Sequence, residues 1–247
     1  MQRPAPVFYL AAMKLLLSLS LVLLSLSAFA QGQLNPHLRR ELDSIRAQDQ
    51  RYRFLMGRLR KGKADSVATA LRIPKPQITN YVLGAMHRAD SSNLHRVEEI
   101  IWRYGYPGAS LVGRPTNEAA WAVLQHSDKI PQYLIWVKGA AEAGEIPYPL
   151  YAQMLDRKLM DDGEEQVYGT QTTGYTVLDH NTGRQHTIAF VWPIRDLAHV
   201  DKRRRQAGFA TTLAESAAAR GFPPQPASLE YALWLQEEAA QLAARLR

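Results

Sequence analysis

The sequence predicts a mainly α-helical domain carrying one β-hairpin, preceded by a secretory signal peptide. Three observations predict it. Apolar residues recur in steps of three and four along most of the chain from Leu38 onward; the period changes once, between Gly174 and Trp192; and an apolar, serine-dotted run follows Lys14 near the start. The composition agrees. Of 247 residues 46% are hydrophobic, with 15 Gly, 14 Pro and no Cys, which excludes a disordered tail, a collagen-like repeat and a disulfide-stapled mini-protein. Without cysteine there is no thiolate nucleophile, no iron–sulfur cluster and no Cys-containing zinc site.

The run after Lys14 ends at Ala28-Phe29-Ala30, a small-x-small cleavage pattern before the polar stretch from Gln31. Its apolar core is shorter than the roughly 20 residues a membrane span needs, so no stable transmembrane anchor is expected after cleavage. Residues 1–30 read as the signal and residues 31–247 as one α-rich domain that is periplasmic or secreted, with Met13 as an alternative start. Removing residues 1–30 takes away Arg3 and Lys14 and no acids, lowering the net charge from +7 to +5. The remaining basic clusters are Arg51 to Lys63 and Lys202 to Arg205, and outside the cytoplasm nucleic acid is not the expected partner of such patches. They read as solvated helix faces, and no nucleic-acid partner is expected.

The first helical stripe is Leu38, Leu42, Ile45, Tyr52, Met56 and Leu59, interrupted once by Asp49. Short helices are expected over Ser66–Leu71 and Ile78–Met86. Ser91 and Ser92 suit the cap of a separate helix with Leu94, Val97, Ile100, Ile101 and Tyr104 inward, stopped by Gly105. Pro107-Gly108 suits the centre of a type II turn. Helices follow over Asn117–His126, from a cap at Asp128 to Gly144, and over Pro149–Met160. Gly174–Leu178 and Gln185–Trp192, rich in Thr, Tyr, Val, Ile and Phe, form the hairpin. Helix returns over Asp196–Ala207. After a proline joint, a final amphipathic helix over about 228–246 shows Tyr231, Leu235, Ala239, Leu242 and Leu246 on a docking face.

Familiar catalytic signatures are absent: there is no Gly-rich phosphate loop, no His-Glu-x-x-His, no Gly-x-Ser-x-Gly and no calcium loop. The seven histidines show no close ligand spacing; His180 and His186 flank the hairpin turn too loosely for a metal site. Neither metal nor cofactor is expected. The informative residues are polar groups on apolar faces. Asp49 falls within its stripe with Arg53 as the local partner. Arg204 shares a face with Leu197, Val200 and Ala207; Asn93 shares one with Val97, Ile100 and Tyr104. His126 follows Val123 by three residues on an inward face, and the adjacent Asp156 and Arg157 point about 100° apart, so each needs a partner elsewhere. Buried charge is tolerated only when paired, so Asp49 and Arg204 are expected in one polar cluster with Arg53, Asn93, Asp156 and Arg157.

The ordered series Asp49-Gln50-x-Tyr52-Arg53, Asp90-x-x-Asn93, Gly105-Tyr106-Pro107-Gly108, Leu111-Val112-Gly113, Gln125-His126-x-Asp128, Asp156-Arg157, Gln166-x-Tyr168-Gly169-Thr170-Gln171, Pro193-Ile194-x-Asp196 and Arg204 resembles a widespread bacterial family of unknown function. The resemblance covers about residues 49–209. It departs at Ser127, where Ala is expected, and at Phe209, where Leu is usual. It implies that the matched polar residues belong to one shared site or network, and it implies no activity.

Two functions fit. One is an exported binding or interaction domain with a polar pocket between helices, formed by Asp49, Arg53, Asn93, Gln125, Arg157, Tyr168, Thr170, Gln171 and Arg204, whose partner is a small molecule or an envelope component. The other is a hydrolase-like enzyme acting on envelope or extracellular material. There His126 would be the general acid or base, Asp128 or Asp156 would orient it, and Arg157 or Arg204 would stabilise negative charge.

Overall fold

The computed structural model describes residues 34–179, 181–223 and 225–246. The expected signal peptide, His180 and Pro224 lie outside the described residues. The architecture is mainly helical with one two-stranded antiparallel hairpin.

Helix α1 (Pro36–Arg60) begins at Asn35, whose side chain accepts from the Leu38 amide, and has proline in its first turn where no amide is needed. Its inward face is Leu38, Leu42, Ile45 and, as expected, Asp49. After a short α2 (Ala64–Leu71), α3 runs unbroken over Ile78–Tyr104. The expected break near residues 87–91 does not occur, and Ser91 and Ser92 are exposed residues of the helix interior. The reason lies on the opposite face. Val82, Ala85, Ala89, Asn93, Val97 and Ile100 continue one buried stripe through the serines, and tertiary burial outweighs the weak local preference for a cap.

Gly105 adopts the expected left-handed conformation, but Gly108 is extended (φ −80°), so Pro107-Gly108 is not the centre of a type II turn. A one-turn α4 (Ala109–Val112) and a 3₁₀ turn (Thr116–Glu118) lead into α5 (Ala119–Leu124). This helix ends two residues before His126. Helix α6 (Ile130–Glu142) starts without a side-chain cap: Asp128 does not take that role, and Ser127 Oγ accepts from the Lys129 amide instead. Helix α7 (Tyr148–Asp161) closes the main core, where α1, α3, α5, α6 and α7 bury Leu42, Val97, Ile100, Leu124, Val137 and Met154 together.

Strands β1 (Thr172–Leu178) and β2 (Gln185–Val191) pair with Tyr175 opposite Ile188 and Leu178 opposite Gln185. The hairpin therefore starts two residues earlier than expected and leaves Trp192 outside the ladder. At its tip the Asp179 carboxylate accepts from the amides of Asn181 and Thr182, an Asx turn. Asp196 has φ +48°, which delays the expected helix: a 3₁₀ turn (Leu197–His199) precedes α8 (Val200–Gln206). Helix α9 (Leu213–Ala219) opens with a reciprocal cap between Thr212 and Glu215. Helix α10 (Leu229–Arg245) docks on β1 through Ala232 and Leu235, against Val177, Phe190 and Trp192. Of its expected face Tyr231 and Leu246 are exposed, and Tyr231 stacks on Trp234. No helix of the described residues is long and apolar enough to cross a membrane.

Candidate functional site

An open cleft of about 650 Å³ lies between the middle of α3 and the α5–α6 turn, lined by His87, Asp90, Ser91, Leu94, Val123, His126, Ser127 and Asp128. The positions follow from helix periodicity. His87, Asp90, Ser91 and Leu94 are three and four residues apart, so they share one side of α3. The short α5 stops before His126, which turns Gln125–Asp128 across the facing wall.

Arg53, on α1, anchors the acidic side. Its Nη2 donates to Asp49 Oδ1 and to Asp90 Oδ1, both at 2.8 Å, while Gln50 Nε2 donates to the second oxygen of Asp49 at 2.7 Å. Asp49 is 2% exposed, so this is a buried carboxylate satisfied by its own helix and tied through one guanidinium to α3. Two donors in this region are buried without an acceptor among the described residues, Arg53 Nε and Asn93 Nδ2.

His126 is exposed at the mouth, where an inward position was expected. Its ring is still flanked by enough protein to lose much of its hydration. That desolvation, joined by the charges of Arg53 and Arg157 and opposed by Asp90, pushes the imidazole down to about 4. At neutral pH it is uncharged. No hydrogen bond ties it to a carboxylate among the described residues, so the orienting partner that Asp128 or Asp156 would supply is missing. Arg157 is half-buried and its side chain makes no hydrogen bond among the described residues; its charge acts on His126 and Asp161. Gln125 is half-buried beside His126.

The other expected site residues gather elsewhere. Asp156, fully buried, accepts from the amides of Val167 (2.8 Å), Tyr168 (3.0 Å) and Thr170 (3.0 Å) and from Thr170 Oγ1 (2.9 Å). Burial outweighs these donors and lifts its carboxyl above the usual range. Gln166, also fully buried, closes the same loop: its amide donates to the carbonyls of Gln171 (3.1 Å) and Trp192 (2.7 Å) and accepts from the Gln171 amide. Gln171 Nε2 reaches the Gln153 carbonyl at 3.1 Å. Arg204 is 1% exposed and donates to the carbonyls of Tyr168 and Thr211. The expected single cluster is thus two. Asp49, Arg53 and Asp90 form one, and Asp156, Tyr168, Thr170 and Arg204 form the other; no hydrogen bond or ion pair joins Asp49 to Arg204. Each inward charge has other partners, on its own helix for Asp49 and in the Tyr168 and Thr211 loops for Arg204, so neither needs the other.

His87 and Ser91 were not foreseen as wall residues. Their signal was the spacing to Asp90, hidden because the expected helix break fell on them. Among the described residues no three His, Asp or Glu side chains converge in the manner of a metal site. No curated protein and no solved structure matches the chain. Residues 74–216 match a family of unknown function, a span that takes in the His126 cleft and the Asp156 loop, begins after Asp49 and Arg53, and ends beyond Phe209. That is more than half of the sequence, and the chain belongs to this family, DUF6624.

Proposed function

We propose that the chain is an exported ligand-binding domain whose cleft between α3 and the α5–α6 turn takes a small polar ligand drawn from envelope or extracellular material. The observation that carries this reading is the set of groups converging there without internal partners. The side chains of His126 and Asp128 make no hydrogen bond among the described residues and line an open cavity with Asp90 on its opposite wall, while the Arg157 charge reaches His126. A concave surface lined by polar side chains that the fold leaves largely free offers its hydrogen-bonding capacity to a ligand. An imidazole and a carboxylate on one wall, with the Arg157 charge nearby, and a second carboxylate on the other suit a ligand that carries amides and opposite charges, such as an amino acid or a short peptide joined to a sugar. Export rests on the signal-like segment ending at Ala30.

Titration of the purified chain with glycine, with N-acetylglucosamine and with muramyl dipeptide, followed by the His126 ring resonances, tests the reading. Saturable shifts with at least one probe, abolished in Asp90→Asn, are expected. Their absence with all three overturns it. The hydrolase-like alternative is favoured by one feature, the uncharged imidazole, which can accept a proton at neutral pH. It requires turnover of the bound probe that disappears in His126→Gln. Binding without turnover excludes it.

A further inference from the structure

A second cavity, of about 240 Å³, is lined among others by Gln153, Thr170, Arg204, Thr211, Ser216 and Arg220. Two of these are arginines, and neither guanidinium touches a carboxylate among the described residues. Arg204 donates to the Tyr168 carbonyl (2.8 Å), the Thr211 carbonyl (2.9 Å) and Thr211 Oγ1 (3.1 Å), with its planar group 4.6 Å from the Phe209 ring centre. Arg220, just past α9, donates to the carbonyls of Thr170 (2.7 Å) and Ser216 (3.0 Å) and to Ser216 Oγ (3.4 Å). A guanidinium has five N–H groups, so each retains donors beyond the three used.

The acids whose charge reaches Arg204, Asp201 and Asp156, are committed elsewhere: Asp201 accepts from the Leu213 amide at 2.7 Å, and Asp156 holds the loop of Val167–Thr170. The Arg220 charge opposes theirs at Arg204. Loss of hydration above all, joined by the Arg220 charge, weakens the hold of Arg204 on its proton, and burial does the same to Arg220. Two like charges around one small cavity, one of them at 1% exposure, are a costly arrangement that an anion between them relieves.

We propose that this cavity is an oxyanion site, in which Arg220 is the reachable donor, Arg204 the deep charge, and the ligand a phosphate-sized group. Its volume is that of roughly eight waters in the liquid, which admits a tetrahedral anion with part of its hydration. Thr211 and Ser216 add hydroxyls at the wall. The site does not depend on the His126 cleft, which is built from α3 and the α5–α6 turn. It also straddles the end of the family match: Arg220 follows Ser216, the last matched residue, by four positions.

Inorganic phosphate is the first probe, titrated into the full chain by calorimetry and by the arginine Nε–H resonances. Saturable binding is expected, with Kd weakened about tenfold or more in Arg220→Gln, the loss of a charge-assisted pair. Arg205→Gln, which changes an exposed neighbour outside the cavity, keeps the wild-type Kd. Because phosphate also stabilises folds by exclusion from their surface, the wild-type response is read against Arg220→Gln rather than against buffer. A second arm uses vesicles of phosphatidylglycerol against phosphatidylcholine. Binding to the former that is lost in Arg220→Gln, with free phosphate silent, assigns the phosphate to a lipid headgroup. If Arg220→Gln leaves both arms unchanged, or if neither probe binds, the proposal is wrong. Arg204→Met threatens the fold, so Arg220→Gln is the deciding variant.

Discussion

Arg53 Nη2 donates to Asp90 Oδ1 at 2.8 Å, a bond across 37 residues that ties the middle of α1 to the wall of the His126 cleft. The same nitrogen holds Asp49, so one guanidinium serves a buried carboxylate below and a half-exposed one at the cleft. The two roles are separable. Asp49→Asn leaves the Arg53 charge facing one acid instead of two within a buried setting, and should cost about 1–3 kcal/mol of stability. Asp90→Asn, at a wetter position, should cost about 1 kcal/mol or less. Urea denaturation of both variants measures the difference; equal costs would mean that Asp49 is not the more deeply committed partner.

Asp156 is the group most heavily used by its surroundings. Asp156→Ala strands the amides of Val167, Tyr168 and Thr170 and the Thr170 hydroxyl, and should destabilise by about 3–5 kcal/mol, whereas Thr170→Val removes two bonds, one to Asp156 and one accepted from Gln171 Nε2, and should cost about 1–2 kcal/mol. Thermal melts should show Asp156→Ala unfolding far earlier than Thr170→Val.

His126 predicts a pH dependence of known sign. Its imidazole ionises near 4 in the fold and near 6.5 when unfolded, so between those values the unfolded chain holds a proton that the folded chain does not. The stability it contributes is complete above about pH 6.5 and is lost as pH falls towards 4. Urea midpoints at pH 7 and pH 5 should therefore fall more steeply with acid for wild type than for His126→Gln, and the His126 ring resonances should titrate below pH 5. A midpoint near 6.5 would show that the cleft does not perturb the ring.

Gly169 sits at φ +70°, and a Cβ there would meet Leu213 Cδ1 at 2.6 Å and Ile194 Cδ1 at 2.9 Å. Gly169→Ala combines left-handed strain with overpacking and should cost about 2–4 kcal/mol. Gly183→Ala, also left-handed but with open space around it, should cost about 1–2 kcal/mol. Chemical denaturation of the pair separates strain from crowding.

Leu235 is fully buried against the hairpin and is the main anchor of α10. Leu235→Ala should cost about 2–5 kcal/mol and loosen the contact with Trp192. Exposed Leu233→Ala should be near neutral, and hydrogen exchange across residues 229–245 would report which helix face holds.

The helices and the hairpin were legible because their signals are local: a 3.6-residue apolar period and a run of β-branched and aromatic residues do not depend on the rest of the molecule. Inward polar residues were legible for the same reason, since Asp49, Asn93, Asp156 and Arg204 each break an apolar face and each is buried. What periodicity does not encode is which distant element supplies the partner. Asp49 is met by Arg53 and Gln50 on its own helix, Asp156 by amides of a loop eleven to fourteen residues on, and Arg204 by carbonyls of that loop and of residue 211, so two networks exist where charge complementarity alone suggested one. Local preference also misled where burial overruled it. Ser91 and Ser92 favour a cap, yet the stripe on the far side of α3 makes one helix of two, and that continuity places His87 and Asp90 on the cleft opposite His126. Which side chains must be satisfied inside the fold follows from periodicity alone; which group satisfies each is a matter of tertiary packing, because a hydrogen bond needs atoms about 3 Å apart and periodicity does not say which segments meet.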